Sequence, residues 1–198
     1  MTATRMSIPM ASYGAGAGET ERLVQRLADA DPSAIGEVYD RYGAAVRTFA
    51  LRLVGDEAAA EDLVHDVFVS LPKAAKLFRG ESSLKTFLFS IAVNHGRHHV
   101  RGAMRRRAAM ERVGRDVAHA SDATPEREAS RAELAGMLVR ALDSLPIDQR
   151  VAFVLCEVEE RTSAEAAVIA GAPEATMRTR LFHAKRKLRA ALSREGLE

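Results

Sequence analysis

Residues 162–173, Thr162-Ser163-Ala164-Glu165-Ala166-Ala167-Val168-Ile169-Ala170-Gly171-Ala172-Pro173, hold a helix start, a short helix and a helix stop. Thr162 with Glu165 three residues on fits a capping box, in which each side chain satisfies a backbone N–H at the helix start. Gly171 suits the left-handed turn position that ends helices, and Pro173 fits the first turn of a new one. That new helix has two faces. Met177, Leu181, Ala184, Leu188 and Leu192 recur at helical spacing and form a core stripe. Arg178, Thr179, Phe182, His183 and Arg186 lie opposite. Helix, glycine turn, helix is the helix-turn-helix pattern, whose second helix reads base edges near its N-terminal end. Arg178 and Thr179 stand there, and Arg180, Lys185 and Lys187 are within reach of phosphates. Phe182 either meets a thymine methyl or packs on a neighbouring helix.

Outward from this stretch the periodicity stays helical and no segment alternates with period two. Leu134, Leu138 and Leu142 predict one helix, ended by Leu145-Pro146; Ile147, Val151, Val154, Leu155 and Val158 predict another. Ser121, Asp122, Thr124 and Pro125 mark a linker. Before it, a long helix from about Ser83 buries Leu84, Leu88 and Ile91 and carries Arg97, Arg101 and Arg105. An earlier helix turns Leu63, Val67, Phe68 and Leu71 inward, and Pro72 is expected to kink or restart it. A helix over about Ser33–Val54 precedes that, stopped by Gly55-Asp56 and preceded by the break Asp31-Pro32-Ser33. Leu23, Val24 and Leu27 open a short amphipathic helix. The expected fold is all-α: two small helical domains on a flexible linker, after a glycine-containing flexible tail over residues 1–18.

Composition narrows the class. The 198 residues are 47% hydrophobic and 28% charged, a globular balance. One cysteine, Cys156, excludes a disulfide framework and a thiolate zinc finger. The uncharged run from Met6 to Gly18 is shorter than the roughly 20 apolar residues of a membrane span, and it lacks a signal-peptide core. A soluble cytoplasmic protein is expected. The net charge of +2 averages over blocks: −5 over residues 19–75, +8 over 76–115, −6 over 116–165 and +7 over 175–194. Two separated basic blocks suggest two sites for a polyanion, unless they are merely solvated helix faces.

The first unit carries two candidate surfaces. Its basic block joins a Ser-rich loop, Phe78-Arg79-Gly80-Glu81-Ser82-Ser83, to Phe87 and Phe89, a combination suited to unpaired nucleic-acid strands. The two later phenylalanines fit a core equally well by spacing, and Asn94 either bonds a base or caps its neighbours. On the preceding helix Asp62, Asp66 and Val69 form an acidic and apolar stripe that suits a basic protein partner or is a solvated face.

Several stretches, in order, resemble one family. In the first unit they are Tyr39-Asp40-Arg41-Tyr42, Ala60-Glu61-Asp62-Leu63-Val64-His65-Asp66-Val67-Phe68, Phe78 to Leu88 and Ile91-Ala92-Val93-Asn94. In the second they are Leu142 to Arg150, Thr162 to Ala167 and Glu174 to Ala184. Together these resemble the extracytoplasmic-function (ECF) sigma factors, promoter-specificity subunits of bacterial RNA polymerase, over about residues 20–101 and 131–192. The resemblance implies region 2 at 19–101, a linker at 102–130 and region 4 at 131–194. It implies that Asp62, Asp66 and Val69 dock on core RNA polymerase. It implies that Phe78, Arg79, Ser82, Ser83, Thr86, Asn94, Arg97 and Arg101 hold the −10 element of promoter DNA. The −35 element would fall to Arg178, Thr179, Arg180, Phe182, His183, Lys185 and Arg186. The linker would run toward the RNA exit channel. No catalytic residue, metal, cofactor or small-molecule substrate is implied. An anti-sigma partner is expected, since no extension beyond Glu198 offers a built-in regulator. The chain departs from the family at Ser70-Leu71-Pro72, where a bulky residue is usual, at Phe87 in place of Trp, and at Gly96-Arg97-His98-His99.

Two other classes compete. A conventional helix-turn-helix regulator would bind duplex DNA without polymerase. A metal-dependent enzyme is suggested by His95, His98 and His99, although no H-E-x-x-H pattern completes them and the block is strongly basic. Cys156 belongs to an apolar helix and reads as core.

Overall fold

The computed structural model describes residues 17–111 and 141–194, with side chains as far as residue 102 in the first stretch. Among these residues there are helices and turns and no strand, as the periodicity predicts. The first unit comprises α1 (Ala17–Ala28), α2 (Pro32–Val54), α3 (Glu57–Ala75) and α4 (Leu84–Glu111). The second has residues 141–143 in a helix, α5 (Ile147–Phe153) passing into a π-helical turn over Val154–Val158, α6 (Ser163–Ala170) and α7 (Glu174–Arg194). Of the expected tail, residues 1–16 lie outside the described residues, and Ala17 and Gly18 open α1. Of the expected linker at 102–130, residues 102–111 instead continue the helical backbone of α4 to Glu111, and residues 112–130, like the start of region 4 at 131–140, lie outside the described residues.

Local chemistry sets the helix ends. Asp31 caps α2 by accepting the Ser33 N–H at 2.9 Å, and Asp56 caps α3 by accepting the Ala59 N–H at 2.8 Å. Between α2 and α3, Gly55 takes φ +75° and donates its N–H to the Leu51 carbonyl. Ser83 caps α4, its hydroxyl accepting the Thr86 N–H at 3.1 Å.

Pro72 differs from expectation: α3 neither stops nor restarts there but continues to Ala75. The missing N–H costs one bond close to the helix end, and buried Leu71 and Ala75 hold that last turn on the core. Tertiary packing outweighs the local break.

The core begins where α1, α2 and α3 meet α4. Phe49 and Phe89 stack face to face with centroids 4.1 Å apart, both fully buried. Such a pair adds about 0.5–1.5 kcal/mol beyond its area burial. The same buried cluster runs on through Leu53, Leu63 and Leu88 into Val151, Leu155, Ile169 and Met177 of the second unit. A smaller cluster, Ala141, Leu142, Leu145, Ala184 and Leu188, belongs to the second unit alone. The two units therefore pack directly on one another. The principal contacts are α4 against α6 and α5, with α2 against α5 and the π-helical turn beside them.

Candidate nucleic-acid interface

The helix-turn-helix forms as its sequence predicts. Thr162 accepts the Glu165 N–H at 3.2 Å, and the Glu165 carboxylate accepts the Thr162 N–H at 2.8 Å, completing the capping box. The Thr162 N–H and, at 2.9 Å, the Thr162 hydroxyl both donate to that carboxylate and hold the Glu165 carboxyl below its ordinary pKa. Gly171 ends α6 at φ +59°. On α7, Met177, Ala184 and Leu188 are buried and Leu181 packs on the core.

The opposite face of α7 is open. Arg178 is exposed and, among the described residues, pairs within its own helix, with Glu174 at 3.2 Å. Thr179 is exposed and donates to the Ala175 carbonyl. Phe182 is 62% exposed, its ring edge-on to His183 at 5.5 Å. Arg186 and Lys187 are exposed. Lys185 reaches back to Glu157 at 2.8 Å. Arg180 turns to the other side, where it meets Asp148 at 3.1 Å. Arg178, Phe182 and Arg186, four residues apart, thus form a solvent-facing row beside Thr179 and His183.

In the first unit the loop before α4 turns at Gly80 and leaves Arg79 exposed. Phe78 packs on half-buried Phe87, centroids 4.8 Å apart, while Phe89 belongs to the core. Ser83 and Thr86 engage each other, the Ser83 hydroxyl donating to the Thr86 hydroxyl at 2.9 Å. Phe78, Arg79, Ser82 and Thr86 border a cavity of about 190 Å³, walled on another side by Val168 and Ile169 of α6. Further along α4, Asn94, Arg97, His98 and Arg101 border a polar cleft of about 430 Å³, which Asp148 and Arg180 complete. Arg97 donates to Asp148 and to the Ala170 carbonyl, each at 2.9 Å. Asn94 and Arg101 are exposed.

On α3, Asp62 is exposed and Val69 is 65% exposed, with Asp66 between them on the same face. Asp66 is not free. It bonds His99 Nε2 at 2.7 Å, with His95 Nδ1 at 4.0 Å. Burial, opposed by Asp66, lowers the pKa of His95. Among the described residues no three His, Cys, Asp or Glu side chains converge as metal ligands, and no helix is long and apolar enough to cross a membrane. Cys156 is half-buried, and burial raises its thiol pKa.

Sequence reasoning missed the residues that join the units. Arg150, Asp148 and Glu159 carry no local motif, because their partners are 51 to 107 positions away.

A helix-turn-helix with an open basic face is thus joined to a helical unit that carries basic side chains of its own. Residues 38–106 match the family model of sigma-70 region 2, and residues 135–188 match that of sigma-70 region 4. The ECF RNA polymerase sigma-E factor of Escherichia coli (strain K12) is 30% identical over 172 residues, 82% of this chain and 88% of that protein. The RNA polymerase sigma-H factor of Pseudomonas aeruginosa is 28% identical over 181 residues, 88% of this chain and 94% of that protein. Among solved structures, CnrH in complex with the cytosolic domain of CnrY matches with a TM-score of 0.61 at 25% identity, covering 87% of this chain and 96% of that one. The sigma factor RpoE in complex with the anti-sigma factor NepR from Bartonella quintana matches with a TM-score of 0.59 at 25% identity, covering 80% and 96%. The chain belongs to the ECF sigma factors of RNA polymerase. It is an alternative sigma factor that directs promoter-specific transcription initiation, and recognition of −10 and −35 elements is typical of its family.

Proposed function

We propose that this sigma factor divides its work among three surfaces. The α3 face of Asp62, Asp66 and Val69 docks on core RNA polymerase. Phe78, Arg79, Ser82, Ser83 and Thr86, with Asn94, Arg97 and Arg101 of α4, capture the −10 strand. Region 4 reads the −35 element through Arg178, Thr179, Phe182 and His183, while Arg180, Lys185 and Arg186 serve phosphates. The linker over 102–130 spans the distance between the two DNA sites. The protein contributes no catalytic residue and acts in the cytoplasm with the polymerase. Its regulator is an anti-sigma protein, in line with the partners named for RpoE and CnrH.

The observation that carries this reading is the solvent-facing row of Arg178, Thr179, Phe182 and Arg186, entered through a capped helix and a left-handed glycine. An apolar ring set among cations suits contact with a thymine methyl or a sugar. Extruding a −10 base costs a few kcal/mol, offset by contacts in the loop cavity. Neutralising several phosphates makes binding fall steeply with salt.

Run-off transcription with core polymerase on a genomic fragment library tests the proposal. New transcripts should appear only when this chain is added. A footprint on duplex DNA without core enzyme, and no stimulation with it, would instead identify a conventional helix-turn-helix regulator.

A further inference from the structure

Two histidines of α4 converge on one carboxylate of the α3 face. His99 Nε2 lies 2.7 Å from Asp66 Oδ2, and His95 Nδ1 lies 4.0 Å from the same oxygen. An ionised carboxylate only accepts, so His99 donates from Nε2. Ser70 sets the other ring. It donates its one hydroxyl proton to the Val67 carbonyl at 3.1 Å, and its oxygen accepts from His95 Nε2 at 3.0 Å. Neutral His95 therefore carries its proton toward Ser70 and turns a bare Nδ1 toward Asp66. A second proton on that ring would sit at Nδ1, facing the carboxylate. Both rings address Oδ2, which leaves Oδ1 for a cation of a partner.

We propose that His95 and His99 are positioning residues for polymerase docking: while neutral they hold Asp66 by one oxygen, and when protonated they cancel its charge, so that acid loosens the contact with core polymerase. The inference rests on the docking assignment given above. The sign follows from charge. Asp66 attracts a basic partner with a full negative charge only while its neighbours are uncharged. An imidazolium at His99 neutralises it, and a second at His95 reverses the local sign. A basic partner must then expel those protons before it pairs with Asp66, so docking releases protons and strengthens as pH rises. Among the described residues, the charges acting on His95 are Asp66 of α3 and His98 and His99 of its own helix, with none from α1, α2 or α6. Burial holds the His95 pKa down against the pull of Asp66, so its share of the effect enters below pH 6.5. Asp148 of α5 is taken up by Arg97 and Arg180. On α3 itself Asp62 and His65 are exposed near Asp66.

Biolayer interferometry of the immobilised full chain against core RNA polymerase, between about pH 5.5 and about 8, tests the proposal, with circular dichroism as the check on folding. Gln at either position keeps an N–H donor for Asp66 and does not titrate. From the upper to the lower pH, the Kd of the unaltered chain should rise at least about fivefold more than that of His99→Gln or of the His95→Gln/His99→Gln double variant. Equal slopes overturn the charge-cancelling role. His99→Leu, which removes the donor, should dock more weakly at the upper pH than His99→Gln; equal docking overturns the positioning role. His65→Gln should keep the slope of the unaltered chain, and a slope lost there instead assigns the titration to His65 and overturns the proposal. Asp62→Arg separates the two readings: retained binding overturns the docking face itself, whereas lost binding together with equal slopes overturns only the part given to the histidines.

Discussion

Single side chains at this protein's corners do work that their exposure conceals. Asp31 joins α1 to α2: it accepts the Ser33 hydroxyl and N–H and pairs with Arg26 at 2.8 Å. These bonds, Ser33 first and Arg26 next, lower its pKa from 3.8 to about 2. Because the folded value is depressed, the stabilisation is complete above pH 3.8 and is lost as pH falls toward about 2. Carboxyl NMR should find the Asp31 midpoint near that lower value, and Arg26→Ala should raise it; a midpoint unmoved by the substitution would leave Arg26 without a role. Arg178 is simpler. Among the described residues it pairs with Glu174 on its own helix, and its exposed guanidinium is available to a base edge. Arg178→Ala should weaken −35 recognition by about 1–3 kcal/mol, read as transcription across −35 variants. An unchanged promoter ranking would remove Arg178 from the reading face.

At the scale of elements, α6 and α7 were the most legible part of the chain, because their signals are local. The capping box, the left-handed glycine and the apolar stripe lie within one or two turns of what they control. Thr162→Ala should therefore cost about 1 kcal/mol of stability in urea unfolding, whereas Thr162→Ser should keep most of it. Equal loss in both would mean that the methyl group, not the hydroxyl, matters there. The α3 face was legible only as a pattern. Its spacing put Asp62, Asp66 and Val69 together, but nothing local announced that His99, 33 positions on, would take Asp66. Asp62, exposed and outside that bond, gives the cleaner test of docking. Asp62→Arg should abolish co-purification with core polymerase while leaving helicity intact. Retained co-purification would move the docking surface elsewhere. Pro72 shows the converse limit: a strong local stop signal yielded to buried Leu71 and Ala75 on either side of it.

For the whole molecule, periodicity supplied the helices and the two-unit division but not how the units meet. Their contacts are long-range pairs, and a buried arginine such as Arg150 reads in sequence like any surface charge. Burial lowers the pKa of Arg150, opposed by Asp143. The same junction makes two glycines into a matched pair. Gly55 and Gly171 both end helices at positive φ, where an alanine is strained by about 1–2 kcal/mol. A Cβ at Gly171 would meet open space. At Gly55 it would fall 2.5 Å from Asp143 Oδ1, the oxygen that pairs with Arg150, so a shift of Asp143 disturbs that pair. Gly171→Ala thus serves as an internal reference for backbone strain, and the excess cost of Gly55→Ala measures contact between the units alone. That excess should appear in urea unfolding together with an expanded radius of gyration; equal costs would mean that the junction contributes nothing to stability. Two single-methyl substitutions, one whose Cβ meets the other unit and one whose Cβ meets open space, so weigh an interaction between positions that lie 88 apart in the chain.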